Sequence, residues 1–228
     1  MLWVEGVHHR YGAVPALDDV TFTLPAGHTL ALFGPNGAGK TTLLKVLAGL
    51  IRPRSGRAGV EGGRGAIGWI GHQSLLYGQL TVRENLRFWG SLYGVRAPVL
   101  DARISGLGAR LDLREHLDRR VGTLSRGQTQ RAAIARALMH DPRVLLLDEP
   151  FTGLDRVAAS ELAELVREFA GRGDGGGRAT LLVTHNVEEG TELATDIGIL
   201  KAGRLVELAA RNARSPEQVG ARYRELVT

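Results

Sequence analysis

One stretch constrains this 228-residue chain more than any other: Gly34-Pro35-Asn36-Gly37-Ala38-Gly39-Lys40-Thr41. It fits the phosphate-loop pattern G-x-x-x-x-G-K-[ST] at every fixed position. The apolar run Thr29–Phe33 before it reads as a buried strand, and Thr42–Ala48 after it reads as a helix stopped by Gly49. Strand, glycine-rich loop and helix together aim backbone N–H groups and the positive end of a helix dipole at one point. Residues 34–42 therefore read as a cradle for nucleotide phosphates. Lys40 is placed to reach the β- and γ-phosphates, and the Thr41 hydroxyl to ligate Mg²⁺.

Length suits one large α/β domain, or a domain with a subdomain. No apolar run approaches the roughly 18 residues of a membrane-spanning helix. Met1–Glu5 lacks the charged and apolar regions of a signal peptide. Cysteine is absent, which excludes disulfides and thiolate metal sites and makes a cytosolic location the default. The formal charge is +5, and all basic residues except Lys40, Lys45 and Lys201 are arginine. They are spread along the chain without a block of like charge, so the reading is a solvated surface and not a nucleic-acid site. His8, His9, His28, His72, His116 and His140 show no metal-ligand spacing.

Along the chain, 4–7 and 20–24 alternate in the manner of half-buried antiparallel strands. Residues 52–65, rich in Gly and Arg, read as a hairpin or loop, and 66–70 as a strand. From Thr81 to about Arg120 the apolar period becomes helical. Thr81 and Glu84 form a capping-box pattern, a second helix runs from about Pro98 to Leu111, and a short third one spans Leu113–Leu117. This strandless block reads as a helical insertion. A further helix over Ala132–Met139 stops at Asp141-Pro142. Val144–Leu147 and 179–183 read as strands buried on both faces, with a helix over Ala158–Gly171 and a flexible loop over Gly173–Gly177 between them. Residues 197–207 suit a hairpin turning at Ala202-Gly203, and the tail from about Ala209 a helix.

Strands alternating with helices imply parallel βαβ units, whose ligand groups collect at strand carboxyl ends. The phosphate loop, Asp148-Glu149 and His185 each follow a buried run, so they should converge. Asp148 suits a second Mg²⁺ ligand, and Glu149 suits the group that takes a proton from the attacking water.

Leu124-Ser125-Arg126-Gly127-Gln128 resembles the Leu-Ser-Gly-Gly-Gln signature of ATP-binding-cassette ATPases, with Arg126 in place of a glycine. The other motifs of that family are matched in order across nearly the whole chain. The resemblance implies an α/β fold: a P-loop NTPase (RecA-like) core, about 1–73 and 141–208, with an N-terminal antiparallel β subdomain. An α-helical subdomain is inserted at about 74–140, and a short helical tail follows from about 209 to 228. It also implies that Tyr11 stacks on adenine, that Gln73 contacts Mg²⁺, that Asp155 in Gly153-Leu154-Asp155 crosses a dimer interface, and that His185 contacts the γ-phosphate. Ser125, Arg126, Gly127 and Gln128 would then meet the ATP of a second copy, in a head-to-tail homodimer with Mg²⁺ and ATP between subunits. Taken alone, Tyr11 reads equally as a packed aromatic and Ser125 as an ordinary helix cap.

With one cassette and no span, transport would need separate integral membrane permease subunits, and the chain would sit on the inner face of the cell membrane. Residues 70–88, with Gly71-His72-Gln73 and Leu80-Thr81 through Phe88, resemble the ATPase subunit of haem exporters of cytochrome c maturation. Multidrug or polysaccharide export is the alternative, and a soluble cassette ATPase acting on nucleic acid or ribosomes belongs to another class. Leu75, Leu76 and Tyr77, at the junction of core and helical block, are the expected docking surface for a membrane subunit.

Overall fold

The computed structural model describes residues 1–71, 73–171 and 177–227. The first half of the chain contributes β1 (Leu2–Tyr11), β2 (Val14–Leu24), β3 (Thr29–Phe33), α1 (Lys40–Leu47), β4 (Ser55–Val60) and β5 (Ile67–Ile70). Then come α2 (Val82–Leu92), α3 (Ala97–Arg110), α4 (Arg126–Leu138), β6 (Val144–Asp148) and α5 (Arg156–Gly171). The chain closes with β7 (Ala179–Val183), α6 (Val187–Leu193), β8 (Asp196–Lys201), β9 (Arg204–Ala210) and α7 (Pro216–Val227).

Two sheets result. A six-stranded sheet has the order β5-β6-β7-β3-β8-β9, parallel except for the antiparallel β8–β9 pair. Every residue of β3, β6 and β7 is buried, which is why those strands read as unbroken apolar runs. The second sheet has three antiparallel strands in the order β2-β1-β4. Here the sequence reading of 52–65 is corrected. Ser55–Val60 is not a loop but an edge strand, paired with β1 from Leu2↔Val60 to His8↔Ser55. Its glycines and exposed arginines hid it, because only Val60 of the strand is buried.

Strand period divides the core. On β6, Val144 and Leu146 join a cluster with β1, β2 and α1, whereas Leu145 and Leu147 join one with α2 through α5. Each such buried leucine contributes about 1.5–3 kcal/mol relative to exposure. A smaller cluster of Ala31, Phe33, Ile197 and Val219 seats α7.

Among the described residues, the insertion between β5 and β6 holds helices, turns and one isolated β-bridge, Thr81 with Arg120, but no strand. The capping box is formed: Thr81 Oγ1 accepts from the Glu84 N–H at 3.1 Å and the Thr81 N–H donates to Glu84 Oε2 at 2.7 Å. The expected third helix is one 3₁₀ turn, Arg114–His116. The tail helix starts at Pro216, since β9 runs on to Ala210. The hairpin at Ala202-Gly203 forms as read. The loop read over Gly173–Gly177 lies, except for Gly177, outside the described residues, as does His72.

Asn85, fully buried on α2, fixes the segment that leads into the insertion. Its Oδ1 accepts from the Tyr77 N–H at 2.8 Å, and its Nδ2 donates to the Tyr77 and Thr81 carbonyls at 3.0 and 2.9 Å. Asn85→Ala strands these buried groups and should cost about 2–3 kcal/mol. For a chain of this size each kcal/mol moves Tm by roughly 2–4 °C, so thermal unfolding should shift down by at least that much. An unchanged Tm would remove Asn85 from this role.

Candidate active site

β7 lies between β3 and β6, so the carboxyl ends of three adjacent parallel strands stand side by side. The phosphate loop leaves the first, Asp148 ends the second, and Thr184-His185 follows the third. The loop is backed closely by its neighbours. Gly39 sits at φ +104, and a Cβ there would lie 2.2 Å from the Ala16 carbonyl oxygen, so only glycine fits. The Gly203 N–H donates to Ala38 O at 2.9 Å, and the Asp18 N–H to Gly203 O at 2.9 Å. The β8–β9 hairpin and β2 therefore brace the cradle.

Lys40 Nζ donates to the carbonyls of Gly34 and Pro35 at 2.6 and 3.0 Å, folding the side chain over its own loop. Burial pulls its pKa below the usual lysine value, while the charges of Glu149 and Asp148 work against that fall. The Thr41 hydroxyl donates to Asp148 Oδ2 at 3.0 Å, and Asp148 is 2% exposed. Glu149 takes a left-handed backbone, φ +52, which costs a non-glycine residue about 1–3 kcal/mol. It is held there by its N–H to Val183 O at 2.9 Å and by its Oε2, 2.7 Å from His185 Nδ1.

These groups border one cleft of about 670 Å³. Asn36 through Thr42 line it from one side, Asp148, Glu149 and His185 from the other, and Tyr11 stands at its mouth. Tyr11 is 51% exposed and edge-on to His9 at 4.9 Å, so one ring face is available for a base to stack on. An adjacent hydroxyl and carboxylate are the oxygen donors that Mg²⁺ takes in such loops, and the cradle with Lys40 fits a triphosphate. The donor set thus suits a nucleotide with Mg²⁺. Val14, Pro15, Ala16 and Thr152 also border the cleft. No motif marked the first three, because hairpin pairing brings them there.

Two predicted groups stand elsewhere. Gln73 is exposed and does not border this cleft. The segment around it turns outward at Leu75, which has φ +55 and whose carbonyl accepts from Trp89 Nε1 at 3.0 Å. Of the Ser125–Gln128 turn, Arg126 borders a second cleft, of about 350 Å³, which shares Glu149 and Thr152 with the first. Ser125 caps α4: its Oγ accepts from the Gln128 N–H at 3.2 Å, and the Ser125 N–H donates to Gln128 Oε1 at 3.0 Å. Gln128 also meets His116 Nε2 at 3.0 Å, so its side chain is committed at home. A Cβ on Gly127 would meet nothing within 4 Å, leaving the first turn of α4 open. Asp155 Oδ1 accepts from the Ala158 N–H at 2.9 Å and caps α5.

The family described as ABC transporter matches residues 17–152 of this chain. The chain belongs to that family. It is an ATPase and an ATP-binding subunit of the ABC transporter kind. It is 36% identical over 203 residues to the ABC transporter ATP-binding protein NatA of Bacillus subtilis, covering 85% of this chain and 81% of that protein. It is 40% identical over 194 residues to the cytochrome c biogenesis ATP-binding export protein CcmA of Ruegeria pomeroyi, covering 84% and 86%. A solved ATP-binding subunit of an ABC transporter superposes with a TM-score of 0.87 at 28% identity, over 98% of this chain and 99% of that one.

If Lys40 meets the phosphates as the cleft geometry suggests, Lys40→Ala deletes that cation and leaves the Gly34 and Pro35 carbonyls to water. Binding of a non-hydrolysable ATP analogue should weaken by about tenfold or more, which is 1.4 kcal/mol. Unchanged affinity by calorimetry would separate Lys40 from phosphate recognition.

Proposed function

We propose that this cassette hydrolyses ATP between two copies of itself to drive export through separate membrane subunits, with haem export for cytochrome c maturation as the specific task. The observation that supports the composite site is that none of Ser125, Arg126, Gly127 and Gln128 borders the cleft that holds the phosphate loop of its own chain. The first turn of α4 is open at Gly127, so the N–H groups there that the Ser125 cap does not take can meet an anion brought by a second copy. In that arrangement Lys40 and the loop amides hold the phosphates, with Thr41 and Asp148 holding Mg²⁺, which offsets charge on the phosphate oxygens. Glu149 orients the attacking water and takes its proton, His185 contacts the γ-phosphate, and ADP and phosphate leave. Ser125 and Gly127 of the other copy complete the charge stabilisation. Asp155 lies on the exposed turn after Glu149, where a facing subunit can meet it.

The haem reading is supported by the likeness of residues 70–88 to the cytochrome-maturation subfamily and by the similarity to CcmA. Drug or polysaccharide export is the second reading, favoured by Leu80–Leu86, which suits many exporters. No described helix is long and apolar enough to cross a membrane. In the transport reading, separate permease subunits carry the cargo and hold the cassette at the inner face of the cell membrane. Deletion of the gene should abolish covalent haem attachment to c-type cytochromes while leaving drug and polysaccharide export unchanged. Normal cytochromes in the deletion strain would overturn the haem reading.

Glu149→Gln should lower ATP turnover by about 10²–10⁴ while ATP binding persists. The variant should accumulate an ATP-bound dimer on size-exclusion chromatography. Near-normal turnover would remove Glu149 from the role of base.

Of the three residues expected to dock a permease, Leu76 packs against the core, whereas Leu75 and Tyr77 are 40% and 51% exposed. Tyr77 lies edge-on to Phe88 at 5.3 Å, and Phe88 and Leu92, one turn apart on α2, are 40% and 63% exposed. This apolar face beside the insertion suits a membrane subunit. Tyr77→Asp should leave ATPase activity of the isolated chain unchanged and abolish its co-purification with the permease. Loss of activity or folding in isolation would assign Tyr77 to the core instead.

A further inference from the structure

Arg126 is the one residue that departs from the family's signature, and its charge is awkwardly placed. It is the first residue of α4, where the positive end of the helix dipole disfavours a cation. The side chain escapes by crossing to the loop behind Glu149. Its Nη2 donates to the Thr152 carbonyl at 3.4 Å. The guanidinium also lies flat on Gly153: a Cβ there would be 2.2, 2.4 and 2.6 Å from Arg126 Cζ, Nε and Nη2. Gly153 has φ +79, so the absence of a side chain is needed for the backbone and for this contact alike.

One turn further along α4, Gln130 makes a second tie to the same segment, its Nε2 donating to the Pro150 carbonyl at 3.0 Å. Residues four apart share a helix face. Arg126 and Gln130 thus hold alternate carbonyls, those of Pro150 and Thr152, from a single face. The gripped segment begins directly after Glu149, whose φ of +52 needs outside support. It ends directly before Leu154-Asp155.

We propose that Arg126 is a positioning residue for Glu149: with Gln130 it clamps Pro150–Gly153 onto α4 within one chain, so the signature turn and the Glu149 loop move as one body. The clamp lies within one chain and involves no second copy. Its consequence for turnover rests on the reading of Glu149 as the base.

Hydrogen exchange on the isolated, nucleotide-free protein tests the clamp directly. Arg126→Gly restores the family's usual residue and should fold. It should speed exchange several-fold in peptides spanning 149–156 and leave the phosphate-loop peptides unchanged. Arg126→Lys, which keeps one donor but cannot lie flat on Gly153, should fall between. Unaltered exchange at 149–156 in Arg126→Gly would overturn the clamp. In steady-state assays Arg126→Gly should lower kcat about tenfold, or 1.4 kcal/mol, with KM for ATP unchanged. Gln130→Ala should act on the same step, and the double variant should lose less than the product of the two single losses. A raised KM at constant kcat would instead make Arg126 a nucleotide contact and overturn the positioning role. Faster exchange with unchanged kcat and KM would overturn it as well. Should Glu149→Gln retain turnover, the base assignment fails, and the exchange data still decide the clamp.

Discussion

The hydrogen bond from Thr41 to Asp148, at 3.0 Å, joins residues 107 apart in sequence, and the rest of the molecule is arranged to permit it. Thr41 lies in the first turn of α1 and Asp148 at the last position of β6. Both must stand at the carboxyl edge of one sheet, with β7 between their strands. That requirement fixes β3, β7 and β6 as parallel neighbours, buried on both faces. It also expels the intervening chain from the sheet. The helices α2, α3 and α4 between β5 and β6 therefore pack against one face, where Leu145 and Leu147 point. Burial of Asp148 at 2% exposure is tolerable because the Thr41 hydroxyl donates to it and the Lys40 charge lies near.

The parts legible in the sequence were those set by local chemistry. Glycine spacing gave the phosphate loop, apolar runs gave the buried strands, and Thr81–Glu84 and Ser125–Gln128 gave two helix starts. Each is decided within a few residues. What escaped was decided by distant partners. β4 looks like a loop because its edge position leaves Ser55, Gly56 and Arg57 exposed, and its pairing with β1 is invisible locally. Ala16 enters the site through its backbone, which no residue type announces. α6 was also unmarked, although Asn186 caps it by accepting from the N–H groups of Glu188 and Glu189 at 3.1 and 3.2 Å. Gln73 carries a motif position, yet it is exposed and does not border the cleft, and the left-handed backbone of Leu75 two residues on has no local signal.

The helical insertion is tied to the sheet by unusual buried groups. Arg136 on α4 is 4% exposed, donates to the Trp69 carbonyl at 2.6 Å and lies over the Trp89 ring at 5.3 Å. Burial lowers its pKa to about 10, against a small opposing effect of Tyr93, and it remains charged at neutral pH. A charge placed there needs both the carbonyl and the ring to offset its desolvation. His140 adds a second tie: its Nε2 is 3.0 Å from the Ile67 carbonyl, and its ring stacks on Tyr93 at 3.8 Å. Both carbonyls belong to β5, so the C-terminal part of α4 is anchored to the sheet edge.

This anchoring determines how force applied to the insertion is delivered. The segment with Leu75 and Tyr77 is bonded mainly to α2, through Asn85 and Trp89, and only Leu76 packs into the core. A partner seated on Tyr77 and Phe88 thus acts first on α2. Trp89 passes that displacement to α4 through the ring it shares with Arg136. With its far end held by β5, α4 passes that displacement to its first turn, where Ser125 and Arg126 lie, with Gln130 one turn further on. That turn contacts the loop after Glu149, a residue already in a strained backbone conformation. A small rotation there changes the aim of one carboxylate more easily than any shift within the buried strands, because close-packed sheets deform little.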